Sequence, residues 1–140
     1  MSCEPPVPAG TELIGKWRRR RYLLERVIGA GAGGTVYLSR HGKARFAVKI
    51  GNDPFDFQSE VNALLSLERG RNPQDRFLVD VDDFHWRGRD YPFYVMPYIE
   101  GYELAEYLRR CGRERFPLIG YRLLNKLARL HEQGWVFGDL

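Results

Sequence analysis

Gly29-Ala30-Gly31-Ala32-Gly33-Gly34-Thr35-Val36-Tyr37-Leu38 decides how this chain is read. Glycines at 29, 31 and 34 give the spacing G-x-G-x-x-G, and the stretch runs straight into β-favouring residues. Glycines let backbone N–H groups approach phosphate oxygens with no side chain between them. The dinucleotide-binding fingerprint has the same spacing but must pass from a strand into a helix. Here the loop joins two strands, Tyr22–Ile28 and Thr35–Leu38, so a plain glycine hairpin is the competing interpretation.

Downstream, His41-Gly42-Lys43 reads as a turn and Arg45-Phe46-Ala47-Val48-Lys49-Ile50 as a third strand. Lys49 at the end of an apolar strand, just after a glycine hairpin, would bring an ammonium under the loop. Such a point charge can hold two phosphate groups. Ala47 is small enough to leave room for a flat base. Alternatively, Lys49 snorkels from an edge strand. Phe57, Val61, Leu64 and Leu65 recur at helical spacing, predicting an amphipathic helix over about 55–69. Glu60 lies on the border of its apolar stripe, where it could pair Lys49 or simply face water.

Two further strands are expected near 77–86 and 91–97, joined by Arg87-Gly88-Arg89-Asp90, and a short helix near 103–110. Pro117 suits the first turn of a last helix with an apolar stripe of Ile119, Leu123, Leu127 and Leu130, stopped by Gly134.

Together these residues resemble the eukaryotic-type (Ser/Thr) protein kinase family: glycine loop with a following valine, A-x-K strand, and helix glutamate. Tyr94-Val95-Met96-Pro97-Tyr98-Ile99-Glu100-Gly101 is similar to the kinase hinge, and Leu130–Leu140 to the approach to the catalytic loop. The resemblance covers about residues 22–140. It implies an α+β fold: a five-stranded antiparallel sheet with one packed helix as the small lobe, then a hinge and the first helices of the large lobe. The division expected is 1–21 as a flexible basic segment, 22–97 as the small lobe and 98–140 as hinge and partial large lobe.

The resemblance further implies ATP held by Gly29, Ala30, Gly31, Gly34, Val36, Ala47, Lys49 and Glu60. Met96 would be the gatekeeper. The Pro97 carbonyl would accept from the adenine amino group and the Ile99 N–H would donate to its ring, while Glu103 would accept from the ribose. Asp139 falls where the family places the aspartate that orients the substrate hydroxyl. The usual H-R-D reads Phe137-Gly138-Asp139, which removes the partner of a phosphorylated activation loop. The Gly138-Asp139-Leu140 ending also resembles small-molecule kinases of the aminoglycoside phosphotransferase type.

The family holds Mg²⁺ with an asparagine and a D-F-G aspartate, and neither has a counterpart after Asp139 in these 140 residues. The chain alone is therefore expected to bind ATP without transferring phosphate. A non-catalytic kinase-like binding module is the alternative. The stripe of the last helix would need a covering protein surface.

Net charge is +4, but Lys16-Trp17-Arg18-Arg19-Arg20-Arg21 alone holds five basic residues. The run is expected to be a solvated approach to the first strand, not a nucleic-acid or membrane contact. Cys3 and Cys111 lack metal-ligand spacing and imply no disulfide framework. With no signal-peptide pattern and no apolar run of about 20 residues, a cytoplasmic location is expected.

Overall fold

The computed structural model describes residues 7–136. Six strands form one antiparallel sheet: β1 (Glu12–Ile14), β2 (Arg21–Gly31), β3 (Gly34–His41), β4 (Ala44–Ile50), β5 (Asp80–Trp86) and β6 (Arg89–Pro97). Helix α1 (Pro54–Glu68) follows β4, and α2 (Leu104–Cys111) and α3 (Phe116–Glu132) follow the sheet. Strand order is β1-β2-β3-β4-β6-β5. The chain divides into two compact units between Ile99 and Glu100, one carrying the sheet and α1, the other α2 and α3.

The sheet-plus-helix arrangement agrees with the expected α+β small lobe, with one strand more than expected. The sixth strand, β1, comes from the segment expected to be a flexible lead-in. That segment is held because it carries core residues: Val7 is fully buried and Leu13 nearly so. Beyond β1 the backbone crosses to the far edge of the sheet. Lys16 donates its N–H to the Asp83 carbonyl at 2.7 Å. Trp17 and Arg18 donate theirs to the Asp82 carboxylate at 3.1 and 2.8 Å. A Cβ on Gly15 would collide with that carboxylate, so the close approach needs glycine there. β2 is bulged between Leu24 and Arg26 and between Val27 and Gly29, which strengthens its twist and helps the two edges meet.

Alternation along the strands sorts side chains onto two faces. One face, with Val7 and Leu13, encloses a core of Tyr22, Leu24, Tyr37, Val48, Ile50, Phe84, Phe93 and Val95. Each such large side chain contributes about 1.5–3 kcal/mol through burial. The other face packs on α1, where Phe57 and Val61 meet Tyr94, with Leu64, Leu78, Val81 and Met96 around them.

Local signals set the helix ends. Asp53 caps α1, accepting the N–H of Phe55 at 2.8 Å and of Asp56 at 3.3 Å, with Pro54 in the first turn. α3 stops at Gly134 (φ +79): Gly134 donates to the His131 carbonyl at 2.9 Å and Trp135 to that of Leu130 at 2.9 Å, the paired bonds of a glycine C-cap. No side chain of α2 or α3 is buried. Among the described residues, no helix is long and apolar enough to cross a membrane.

Candidate nucleotide site

Strand register gathers the site. Val36 lies opposite Lys49 and Leu38 opposite Ala47 across β3–β4. Across β4–β6, Lys49 faces Tyr94 and Ala47 faces Met96. Because side chains alternate, all six share the face that α1 covers. Ala47 is buried and Met96 half-buried.

Lys49 and Glu60 form a two-pronged ion pair. The ammonium lies 2.7 Å from Glu60 Oε1 and 2.9 Å from Oε2. Both side chains are partly shielded, at 19% and 36% exposure, so the pair is screened less than a surface bridge. Tyr94 adds a third bond, its hydroxyl donating to Glu60 Oε1 at 2.7 Å. The Lys49 ammonium also stands 5.9 Å from the Tyr94 ring centre, and Phe57 stacks on that ring at 5.3 Å. Burial, reinforced by the Glu60 carboxylate, pushes the Tyr94 hydroxyl far above its ordinary range. It therefore stays a neutral donor, and the carboxylate is fixed from two sides.

The glycine stretch is a tight hairpin over this assembly. β2 and β3 stay paired as far as Gly31 opposite Gly34, so only Ala32 and Gly33 form the turn. A Cβ on Gly33 would lie 3.7 Å from the Lys49 ammonium and 4.0 Å from Glu60 Oε2. The bare tip thus sits directly against the charge pair. Gly34 has φ +148, and a Cβ there would run into the Ile50 carbonyl. Asn52 ties the tip down, its amide reaching the carbonyls of Gly31 at 3.3 Å and Ala32 at 3.4 Å.

Gly29 lies opposite Val36, which a Cβ on Gly29 would meet at 3.8 Å, while a Cβ on Gly31 would point into open space. At the far end of the face, β6 ends on Pro97, opposite Phe46. Tyr98 donates its N–H to the Arg45 carbonyl at 3.2 Å, and Ile99 is 72% exposed. Glu103 belongs to the other compact unit, where it precedes α2 and its carbonyl accepts the Tyr107 N–H at 2.9 Å. Asp139 lies outside the described residues.

The sheet unit therefore brings together the glycine hairpin, Val36, Ala47, Lys49, Glu60 and Met96. Two members of the assembly escaped the sequence reading, Tyr94 and Asn52. Tyr94 had a signal: it stands two residues before Met96, hence on the same face. Asn52 lies in the Gly51–Pro54 break, where nothing local marks a partner 20 residues back. The donor set suits a polyphosphate. Backbone free of Cβ atoms lies against a cation whose position is fixed by a carboxylate.

A Ser/Thr protein kinase of Bacillus subtilis (strain 168), YabT, is 37% identical to the chain over 134 residues, covering 94% of this chain and 40% of the relative. The chain thus spans about two fifths of the length of the curated relative it matches. Vaccinia related kinase 3 superposes with a TM-score of 0.59 at 23% identity, over 96% of this chain and 45% of its own. A mutant form of the Mycobacterium tuberculosis PknI kinase domain gives 0.56 at 20% identity, over 96% and 55%. At those identities the two solved structures speak for the fold alone. No protein-family model matches the chain. Sequence likeness along nearly the whole chain and likeness of fold converge on the N-terminal part of a protein kinase domain.

Proposed function

We propose that the sheet unit is the ATP-holding half of a Ser/Thr protein kinase. The observation that carries this reading is the bare Gly33 tip against the Lys49–Glu60–Tyr94 assembly. Backbone N–H groups of Gly29–Gly34 would cradle phosphates, and Lys49 would bind two of them as a fixed point charge. Val36, Ala47 and Met96 would flank the base. The Pro97 carbonyl and the Ile99 N–H would read its edge, since proline lacks only the donor. Glu103 would meet the ribose. The division into a small lobe over 22–97 and a hinge with partial large lobe from 98 onward is supported by the separation between Ile99 and Glu100.

Transfer of phosphate to a protein hydroxyl is proposed for the whole protein, with Asp139 orienting that hydroxyl. Magnesium, which neutralises charge on the phosphates in this family, has none of the family's ligands within these 140 residues. The 140-residue chain by itself therefore binds ATP without catalysing transfer. The exposed α3 residues Leu123 and Leu124, at 41% and 66%, are proposed to be covered by further kinase-domain chain or a protein partner. A Ser/Thr relative favours a protein over an aminoglycoside as acceptor, and a cytoplasmic setting fits an ATP-dependent enzyme.

Calorimetric titration of the 140-residue chain with ATP, with and without Mg²⁺, tests the reading. Saturable binding weakened at least about tenfold by Lys49→Met supports it, because a charge-assisted contact is worth about 1.5–3 kcal/mol. Equal affinity in wild type and variant would sink it. Phosphoryl transfer from radiolabelled ATP by this chain would overturn its inactivity.

A further inference from the structure

The basic run divides in two. Lys16 reaches Asp90 at 2.6 Å, while Arg18 gives its guanidinium to Asp80 at 3.3 Å and its backbone N–H to Asp82 at 2.8 Å. These two clamp the N-terminal segment to the β5–β6 hairpin, Arg18 on β5 and Lys16 at the start of β6. The other three arginines, Arg19, Arg20 and Arg21, line a cleft of about 460 Å³ together with His41. Tyr22, Phe46 and Val79 form its apolar part. The cleft lies at the β3–β4 turn end of the sheet, away from the glycine hairpin at the opposite end of β3.

Among the described residues, no carboxylate lines this cleft. Arg21 meets Glu12 at 3.2 Å on an exposed edge, and Arg20 donates to the Val79 carbonyl at 3.3 Å. Through their side chains Arg19 and His41 make no hydrogen bond or ion pair among the described residues. Asp80, the nearest buried acid, is already committed to the Tyr22 hydroxyl at 2.8 Å, to Arg18 and to the Val81 N–H. Arg19 sits at φ +59, a left-handed conformation that an L-residue adopts at a cost. Ser39 lies opposite Phe46 and two residues before His41; it is fully buried, and its hydroxyl has no partner among the described residues.

Arg19 and Arg20 are gathered beside Arg21 with Glu12 as the one acidic partner of the three among the described residues; like charges so placed repel one another, and an anion relieves that repulsion. Guanidinium forks match phosphate oxygens in pairs. The cleft volume falls within the roughly 300–1,000 Å³ of small-ligand sites. Its aromatic and aliphatic part gives an apolar body somewhere to rest. We propose that this cleft binds a phosphomonoester carried on an aromatic body, separately from the Lys49 site. A phosphotyrosine side chain and a small aromatic phosphate share that chemistry.

The test is an NMR titration of the 140-residue chain with phenyl phosphate at constant ionic strength, beside phenol and inorganic phosphate. Saturable shifts at Tyr22 and His41, with phenyl phosphate binding at least tenfold more tightly than inorganic phosphate, support the proposal. Arg19→Gln with Arg20→Gln should weaken binding at least tenfold. Arg19→Gly, which keeps the left-handed backbone, should act in the same direction, and so should His41→Ala. Lys49→Met should leave it unchanged, which separates this site from the ATP reading. A phosphotyrosine peptide binding more tightly than phenyl phosphate assigns the source to a protein side chain; equal affinity assigns it to a small molecule. Phenyl phosphate binding that ignores the arginine substitutions, or vanishes with Lys49→Met, overturns the proposal. Binding of duplex oligonucleotide without any binding of phenyl phosphate also overturns it.

Discussion

The sheet unit and the helical unit spend their apolar residues differently. In the first, Phe93, Val48 and Val95 are wholly buried, and the N-terminal segment supplies Val7 and Leu13 to the same core. In the second, α3 carries Leu123, Leu124, Leu127 and Leu130, yet none of its residues is buried. A core that closes on itself can hold a charge pair at fixed geometry. An amphipathic helix without cover contributes little to stability, since most helical stability in proteins comes from packing the apolar face. The Lys49–Glu60 pair is therefore built into the unit whose core closes on itself, and the helical unit carries the exposed apolar face.

Core truncation should separate the units most sharply. Phe93→Ala removes a fully buried ring and should cost about 3–5 kcal/mol in urea unfolding. A loss under about 1 kcal/mol would mean that the sheet core is not what holds the unit.

Alkaline titration probes the same unit. Burial, with the Asp80 carboxylate beside it, raises the Tyr22 hydroxyl from 10.0 to about 12, against the partial opposition of Arg20. The folded state prefers the protonated phenol, so this contribution is fully present below pH 10 and is lost as pH climbs from about 10 through about 12. Tyr22→Phe should flatten that decline in an unfolding-versus-pH series. An unchanged slope would show that Tyr22 does not titrate with folding.

Tyr94→Phe deletes one hydrogen bond to Glu60 and keeps the Phe57 stack. Its expected cost is about 0.5–1.5 kcal/mol in stability, with ATP affinity reduced a few-fold. The smallest effect belongs to the helical unit. Leu124→Ala on α3 should change unfolding by no more than about 0.5 kcal/mol, and should reduce self-association in sedimentation. A loss comparable to that of Phe93→Ala would erase the contrast between the units.

What was legible in the sequence was local. The glycine hairpin, Lys49 on β4 and Glu60 on α1 can be read because residue type and period place them without knowledge of distant partners. Gly134 as the stop of α3 is legible for the same reason. The unread parts depend on long-range closure. β1 has three residues and no strong pattern of its own; it forms because Leu13 finds a core and Gly15 finds Asp82. Lys16 and Arg18 look like any surface cations until β5 supplies Asp80 and Asp82 and β6 supplies Asp90. Tyr94 required the β4–β6 register, which a single sequence does not state.

Hydrogen exchange with and without ATP tests the central claim most directly. On the proposed mode of nucleotide binding through the glycine hairpin and Lys49, the sheet unit should show slowed exchange across residues 29–34 and at 98–99. That protection should disappear in Lys49→Met, and α3 should exchange equally fast in every sample. Unchanged exchange in the glycine hairpin at saturating ATP, or protection that survives Lys49→Met, would contradict the account.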